Sequence, residues 1–130
     1  MTDNLEETIR VLCIEDDPAM IELVTLILKN RGYDVRGASS GQEGLDLIND
    51  FEPNLILLDL MMPDMSGWDV YTQIRANDGT REIPVIVVTA KAQNIDKVLG
   101  LRIAKVQDYI VKPFSPAELI ESVEKVLSED

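Results

Sequence analysis

The sequence predicts an α/β domain built as a doubly wound, five-stranded parallel sheet with five helices. Three observations lead there. Short apolar runs alternate along the chain with amphipathic stretches of helical period. Four of the five strand candidates are largely apolar, as strands covered on both faces must be. No linker, repeat or low-complexity segment interrupts the alternation, so one domain accounts for the 130 residues.

The elements follow in order. Ile9 to Ile14 reads as a buried strand, and Asp17-Pro18 as an N-cap with proline in the first turn. Ile21, Leu23, Val24, Ile27 and Leu28 give the first helix its apolar stripe, and Arg31-Gly32 ends it. Tyr33, Val35 and Gly37 alternate with polar residues as on a half-exposed edge strand. Ser40 and Glu43 form a capping box for the second helix, which carries Leu45 and Ile48 and closes at Pro53. Leu55 to Leu58 is a central strand ending at Asp59. Ser66, Gly67 and Asp69 open the third helix with Val70 and Ile74, and Asn77-Asp78-Gly79 is a turn. Pro84 introduces the strand Val85 to Val88, which ends at Thr89. A weaker helical pattern runs through Ile95, Val98 and Leu99. Tyr109 to Val111 is the fifth strand, ending at Lys112-Pro113. Ser115, Pro116 and Glu118 cap a fifth helix whose apolar face is Leu119, Ile120, Val123, Val126 and Leu127.

Composition narrows the function. Twelve Lys and Arg stand against twenty-four Asp and Glu, a net charge of −12. Nucleic-acid binding draws on phosphate neutralisation, so direct contact with DNA or RNA is not expected, nor is an anionic membrane surface. No apolar run reaches the roughly 18 residues of a spanning helix. The start, MTDNLEETIR, lacks the basic and apolar regions of a secretory signal. A single cysteine and no histidine exclude an internal disulfide, histidine catalysis and histidine metal sites. The expected home is reducing and cytoplasmic.

In an open parallel sheet, ligands bind beyond the carboxyl ends of the strands, at the switch point. Those ends carry Glu15 and Asp16 after strand one, Asp59 after strand three, Thr89 after strand four and Lys112 after strand five. With strand order 2-1-3-4-5, strands one and three flank the switch point. Two carboxylates about 5 Å apart repel by roughly 3 kcal/mol at an effective dielectric of ~20. A divalent cation relieves that repulsion, and oxygen ligands favour Mg²⁺, Mn²⁺ or Ca²⁺ over zinc. A carboxylate beside such a metal can attack phosphorus, and Thr89 and Lys112 could hold the transferred oxygens. The chemistry suggested is phosphoryl transfer onto an aspartate.

The motifs Glu15-Asp16-Asp17-Pro18, Leu58-Asp59-Leu60-Met61-Met62-Pro63, Gly67, Val88-Thr89-Ala90-Lys91 and Tyr109-Ile110-Val111-Lys112-Pro113-Phe114 stand in order. With them the chain resembles, over nearly its whole length, the receiver domain of two-component response regulators. The resemblance implies a flavodoxin-like fold, with an N-terminal extension at 1–8 and the receiver at 9–128; no output domain is expected within these residues, as in either a stand-alone receiver or an excerpt of a longer regulator. It makes Asp59 the phosphoacceptor, charged from a sensor histidine kinase or a histidine phosphotransfer protein. Asp16, Asp59 and the Met61 backbone carbonyl would ligate Mg²⁺, with Glu15 contributing directly or through water and Mn²⁺ as a substitute. Lys112 would pair with the phosphoryl group, and its bond to Pro113 is expected to be cis. Thr89 and Tyr109 are the implied switch pair. The face altered would be the fourth helix, fifth strand and fifth helix, controlling a protein target, an output domain or a phosphorylation-linked dimer. The module is thus expected not to be an enzyme beyond its self-catalysed phosphoryl chemistry.

Three departures from the family pattern stand out. Glu15 replaces the commoner aspartate, reaching one methylene further. Met61 and Lys91 occupy positions where the family tunes phosphate lifetime, and apolar Met61 implies slow autodephosphorylation. Arg102 to Gln107 replaces a stretch usually ending in Gly-Ala. Competing readings fare worse. A phosphatase with an aspartyl-phosphate intermediate wants an acid where Met61 stands. A flavodoxin-like electron carrier needs a Ser, Thr and Gly-rich phosphate loop after strand one, where this chain has acids. A pseudo-receiver acting only as a binding surface would not need the intact Asp16, Asp59, Thr89 and Lys112 set. Cys13 and Trp68 read as packing residues, Asp17 as a cap, and Met20 and Ile21 as core or a kinase-docking candidate.

Overall fold

Strands β1 (Arg10–Ile14), β2 (Asp34–Ala38), β3 (Leu55–Asp59), β4 (Val85–Thr89) and β5 (Asp108–Val111) form one parallel sheet in the order β2-β1-β3-β4-β5. The computed structural model describes residues 8–90 and 106–128. Among these residues there are four helices: α1 (Pro18–Lys29), α2 (Gly41–Phe51), α3 (Gly67–Ala76) and α4 (Pro116–Ser128). Five helices are expected from the sequence. The fourth helical pattern, at Ile95, Val98 and Leu99, lies outside the described residues, as do Lys91 and positions 102–105. The fifth expected helix is therefore α4.

Side chains alternate along each strand and sort the helices into two layers. Leu12, Ile14, Ile56, Leu58, Val85 and Val87 face the side covered by α2 and α3, meeting Ile48, Phe51, Val70 and Ile74. Val11, Cys13, Leu57, Ile86, Val88 and Ile110 face the side of α1 and α4, against Val24, Leu28, Leu119 and Val123. Cys13 is buried there, and burial pushes its thiol pKa up to about 12.

The caps sit where the sequence puts them. Asp17 accepts from the Ala19 N–H at 3.0 Å, Ser66 from Trp68 at 3.1 Å, and Ser115 and Glu118 cap each other reciprocally. Gly32 leaves α1 with φ of 92°. Two details differ. Ser40 accepts from the Glu43 N–H at 3.1 Å as expected, but Glu43 returns to the N–H and hydroxyl of Ser39, one residue before the expected box partner. Leu23 is 42% exposed rather than part of the buried stripe. It lies about 100° around the helix from Val24, at the margin of the buried face. No helix among the described residues is long and apolar enough to cross a membrane.

Candidate functional site

β1 delivers its acids at the point where the chain turns into α1. The Glu15 N–H donates to the Ala38 carbonyl of β2 at 2.9 Å, and its Oε2 accepts from the Asp17 N–H at 3.1 Å. That fixes Glu15 inward, buried, while Asp16 beside it stays exposed. Asp59 is the last residue of β3, the strand paired with β1, and is also buried. Its Oδ1 accepts from the Met61 N–H at 3.1 Å. One carboxylate oxygen each from Glu15, Asp16 and Asp59 lies within 4.8 Å of the others.

Lys112 answers this cluster. It follows β5 directly, and its N–H donates to the Thr89 carbonyl at 2.8 Å, which closes the carboxyl ends of β4 and β5 together. From there Nζ reaches Glu15 Oε1 at 2.7 Å and Asp59 Oδ2 at 3.7 Å. The Lys112–Pro113 bond is cis.

Charge remains incompletely balanced. Burial raises the Glu15 carboxyl above the usual range, and the Lys112 and Asp17 hydrogen bonds only partly oppose it. Burial likewise raises Asp59, against the Met61 N–H and the Lys112 ammonium. Burial alone would lower Lys112, but the Glu15 hydrogen bond and the Asp59 charge lift it above its ordinary value. A hard divalent cation suits this all-oxygen donor set and would hold the carboxylates ionised.

Thr89 ends β4, one residue beyond Val88, the register partner of Asp59, and is buried at the mouth of the site. Tyr109 lies on β5 opposite Val87 and packs against the α2–α3 side of the core. Met61 projects outward, with 70% of its surface exposed.

The sequence profile of the response regulator receiver domain matches residues 11–124. The chain belongs to the response regulator receiver family. It is 40% identical over 114 residues to the DNA-binding response regulator MtrA of Mycolicibacterium smegmatis, covering 88% of this chain and 48% of that protein. It is also 40% identical over 118 residues to the DNA-binding dual master transcriptional regulator RpaA of Synechocystis, covering 91% and 48%. This receiver chain thus spans about half the length of the curated relatives it matches. Among solved structures, chemotaxis protein CheY4 of Vibrio cholerae superposes with a TM-score of 0.86 at 25% identity, over 92% of this chain and 98% of that one. A CheY-like receiver domain protein of Methanospirillum hungatei gives 0.82 at 32% identity, over 92% and 94%.

The receiver fold brings together Glu15, Asp16, Asp59 and Lys112, with Thr89 on the adjoining strand end. Sequence reasoning missed Asp64. Its carboxylate accepts from the N–H groups of Gly41 and Gln42, both at 3.2 Å, at the start of α2. A short side chain after β3 that caps a helix 23 residues earlier leaves no local pattern. Gly67 has a clearer reason: a Cβ there would collide with the Asp59 carbonyl, so α3 starts directly against the end of β3.

Proposed function

We propose that this receiver domain accepts a phosphoryl group on Asp59 from the phosphohistidine of a sensor kinase or a histidine phosphotransfer protein. The observation that carries the reading is the set of three carboxylates within 4.8 Å, with Lys112 Nζ between Glu15 and Asp59.

Glu15, Asp16, Asp59 and the backbone carbonyl of Met61 would hold Mg²⁺, or Mn²⁺ in its place. Bound there, the metal neutralises the carboxylates and draws charge from the phosphoryl oxygens. An ionised Asp59 oxygen attacks phosphorus in line. The O–P bond forms as the P–N bond to the imidazole breaks, and the electron pair goes to the ring nitrogen, which takes a proton. Lys112 then pairs with the phosphoryl oxygens, and Glu15 remains its second partner. The Thr89 hydroxyl turns to a phosphoryl oxygen and Tyr109 moves inward behind it. The population shifts toward a form in which the fourth expected helix, β5 and α4 present an altered face.

That face would control a protein target, an output domain or a dimer. The relatives' names describe them as DNA-binding; the net charge of −12 argues against direct DNA contact by this receiver domain. With apolar Met61 beside the acceptor, the acyl phosphate has no side chain there to orient attacking water, and slow autodephosphorylation follows.

The test is intact-mass measurement after incubation with Mg²⁺ and acetyl phosphate. We expect one phosphoryl adduct that needs Mg²⁺ and is lost in Asp59→Asn. Neither adduct nor donor turnover, with a donor and metal that charge another receiver, would refute the reading.

A further inference from the structure

Asp64 stands outside the carboxylate cluster, yet it ties two parts of the site together. Residues 60–66 link β3 to α3 and carry Met61, and the segment is anchored at both ends. The Met61 N–H rests on Asp59 Oδ1, and the Gly67 N–H donates to the Leu60 carbonyl at 3.0 Å. Its middle is held by Asp64 alone among the side-chain hydrogen bonds described. The carboxylate spans the free N–H groups of Gly41 and Gln42, the first turn of α2, while Ser40 caps Glu43. Those N–H bonds, Gly41 first, hold the Asp64 carboxyl below its usual range. Met65 beside it packs on Gly41 so closely that a Cβ there would lie 2.5 Å from Met65 Cγ.

The other end of this link reaches β1. At Gly44, one turn further along α2, a Cβ would lie 2.5 Å from Ile14 Cδ1, so the helix sits directly on the residue preceding Glu15. α2 is therefore a brace between the strand that leads into Glu15 and Asp16 and the loop that carries Met61.

We infer that Asp64 is a positioning residue for the divalent metal, holding the Met61 segment in register with the carboxylates through α2. The inference rests on the proposed function and adds to it a residue that touches neither metal nor phosphate. Removing the carboxylate leaves the Gly41 and Gln42 N–H groups without this acceptor, although Ser40 still caps Glu43, and frees the middle of the loop. Outer partners of metal ligands affect metal affinity by about 10–100-fold, and a loop tether belongs at the lower end.

The experiment titrates Mg²⁺ into the full chain, read by the fluorescence of Trp68, the sole tryptophan, on α3 just past the loop. Asp64→Ala is compared with Ser40→Ala, which removes another cap of the same helix without touching the loop, and thermal unfolding is recorded for both. We expect Asp64→Ala to weaken Mg²⁺ binding about tenfold and Ser40→Ala less than twofold, at similar losses of thermal stability. Asp64→Asn, which keeps one acceptor oxygen, should fall between wild type and alanine. Equal affinity loss in Asp64→Ala and Ser40→Ala, or unchanged affinity in Asp64→Ala, would overturn the inference alone. Absence of saturable Mg²⁺ binding in the unsubstituted protein would overturn the functional reading and this inference with it.

Discussion

At the amino ends of the strands, charged and polar groups meet partners that suit them. Arg10 Nε donates to the Phe51 and Glu52 carbonyls, and its N–H meets Asn54 Oδ1 at 2.8 Å. Arg75 donates to the Ile83 carbonyl and lies over the Tyr71 ring, and the Gln107 side chain accepts from the Val85 N–H at 2.8 Å. The buried Thr80 hydroxyl donates to the Ile74 carbonyl at 2.6 Å. At the carboxyl ends, three carboxylates crowd together, and the two buried ones, Glu15 and Asp59, share the Lys112 ammonium. The same sheet is closed by satisfied polar groups at one end and left with like charges in contact at the other. The repulsion that persists there against folding is what the proposed metal and phosphoryl chemistry calls for, since local rules give way where function requires it.

The contrast can be broken most severely at Lys112. In Lys112→Met, Glu15 and Asp59 lose their shared cation, and we expect a stability loss of about 3 kcal/mol at neutral pH. Denaturant titration should show the loss shrinking as pH falls and the two carboxyls take up protons. A constant loss across that range would mean the lysine acts by packing instead.

pH sharpens the comparison without mutation. Glu15 and Asp59 have folded pKa values raised above their ordinary ones, so the folded state holds protons that the unfolded state has released. Without metal, the contribution of these two groups to stability should be greatest below the ordinary carboxylate range and be lost as pH rises from about 4 through the raised folded values, opposite in sign to that of Asp64. Saturating Mg²⁺ should reverse that slope, because it binds the ionised carboxylates of the folded state only. Thermal melts with and without Mg²⁺ across this window would show it.

The smallest effect belongs to the quiet end. Thr80→Val deprives the Ile74 carbonyl of its buried donor and should cost about 1–2 kcal/mol by denaturant titration. Mg²⁺ affinity should stay at the wild-type value. A change there would mean the two ends are coupled through α3.

The strands and the four described helices carry their signals in short windows. Asp17-Pro18, Ser66 and Ser115 with Glu118 are caps whose donors lie within three residues, so adjacent sequence suffices to place them. Asp16, Asp59, Thr89 and Lys112 were legible because a parallel sheet gathers the residues that follow its strands. Contacts between distant segments were not. The Asp64 link to α2, the Arg10 bond to Asn54 and the Arg31–Glu124 ion pair at 2.8 Å between the turn after α1 and α4 depend on packing that no window contains. Leu23 failed for a subtler reason: periodicity gives the direction of an apolar face but leaves the edge of the covered face open.

The burial of Cys13 has a practical consequence. With burial pushing its pKa up to about 12, the thiol stays protonated at neutral pH, and the residue is also shielded by the core. The chain has no other cysteine, so a cysteine placed at an exposed position such as Lys29 would be the sole reactive thiol. Dyes, spin labels or surface tethers could then be attached at one chosen address without first stripping the native sequence of thiols.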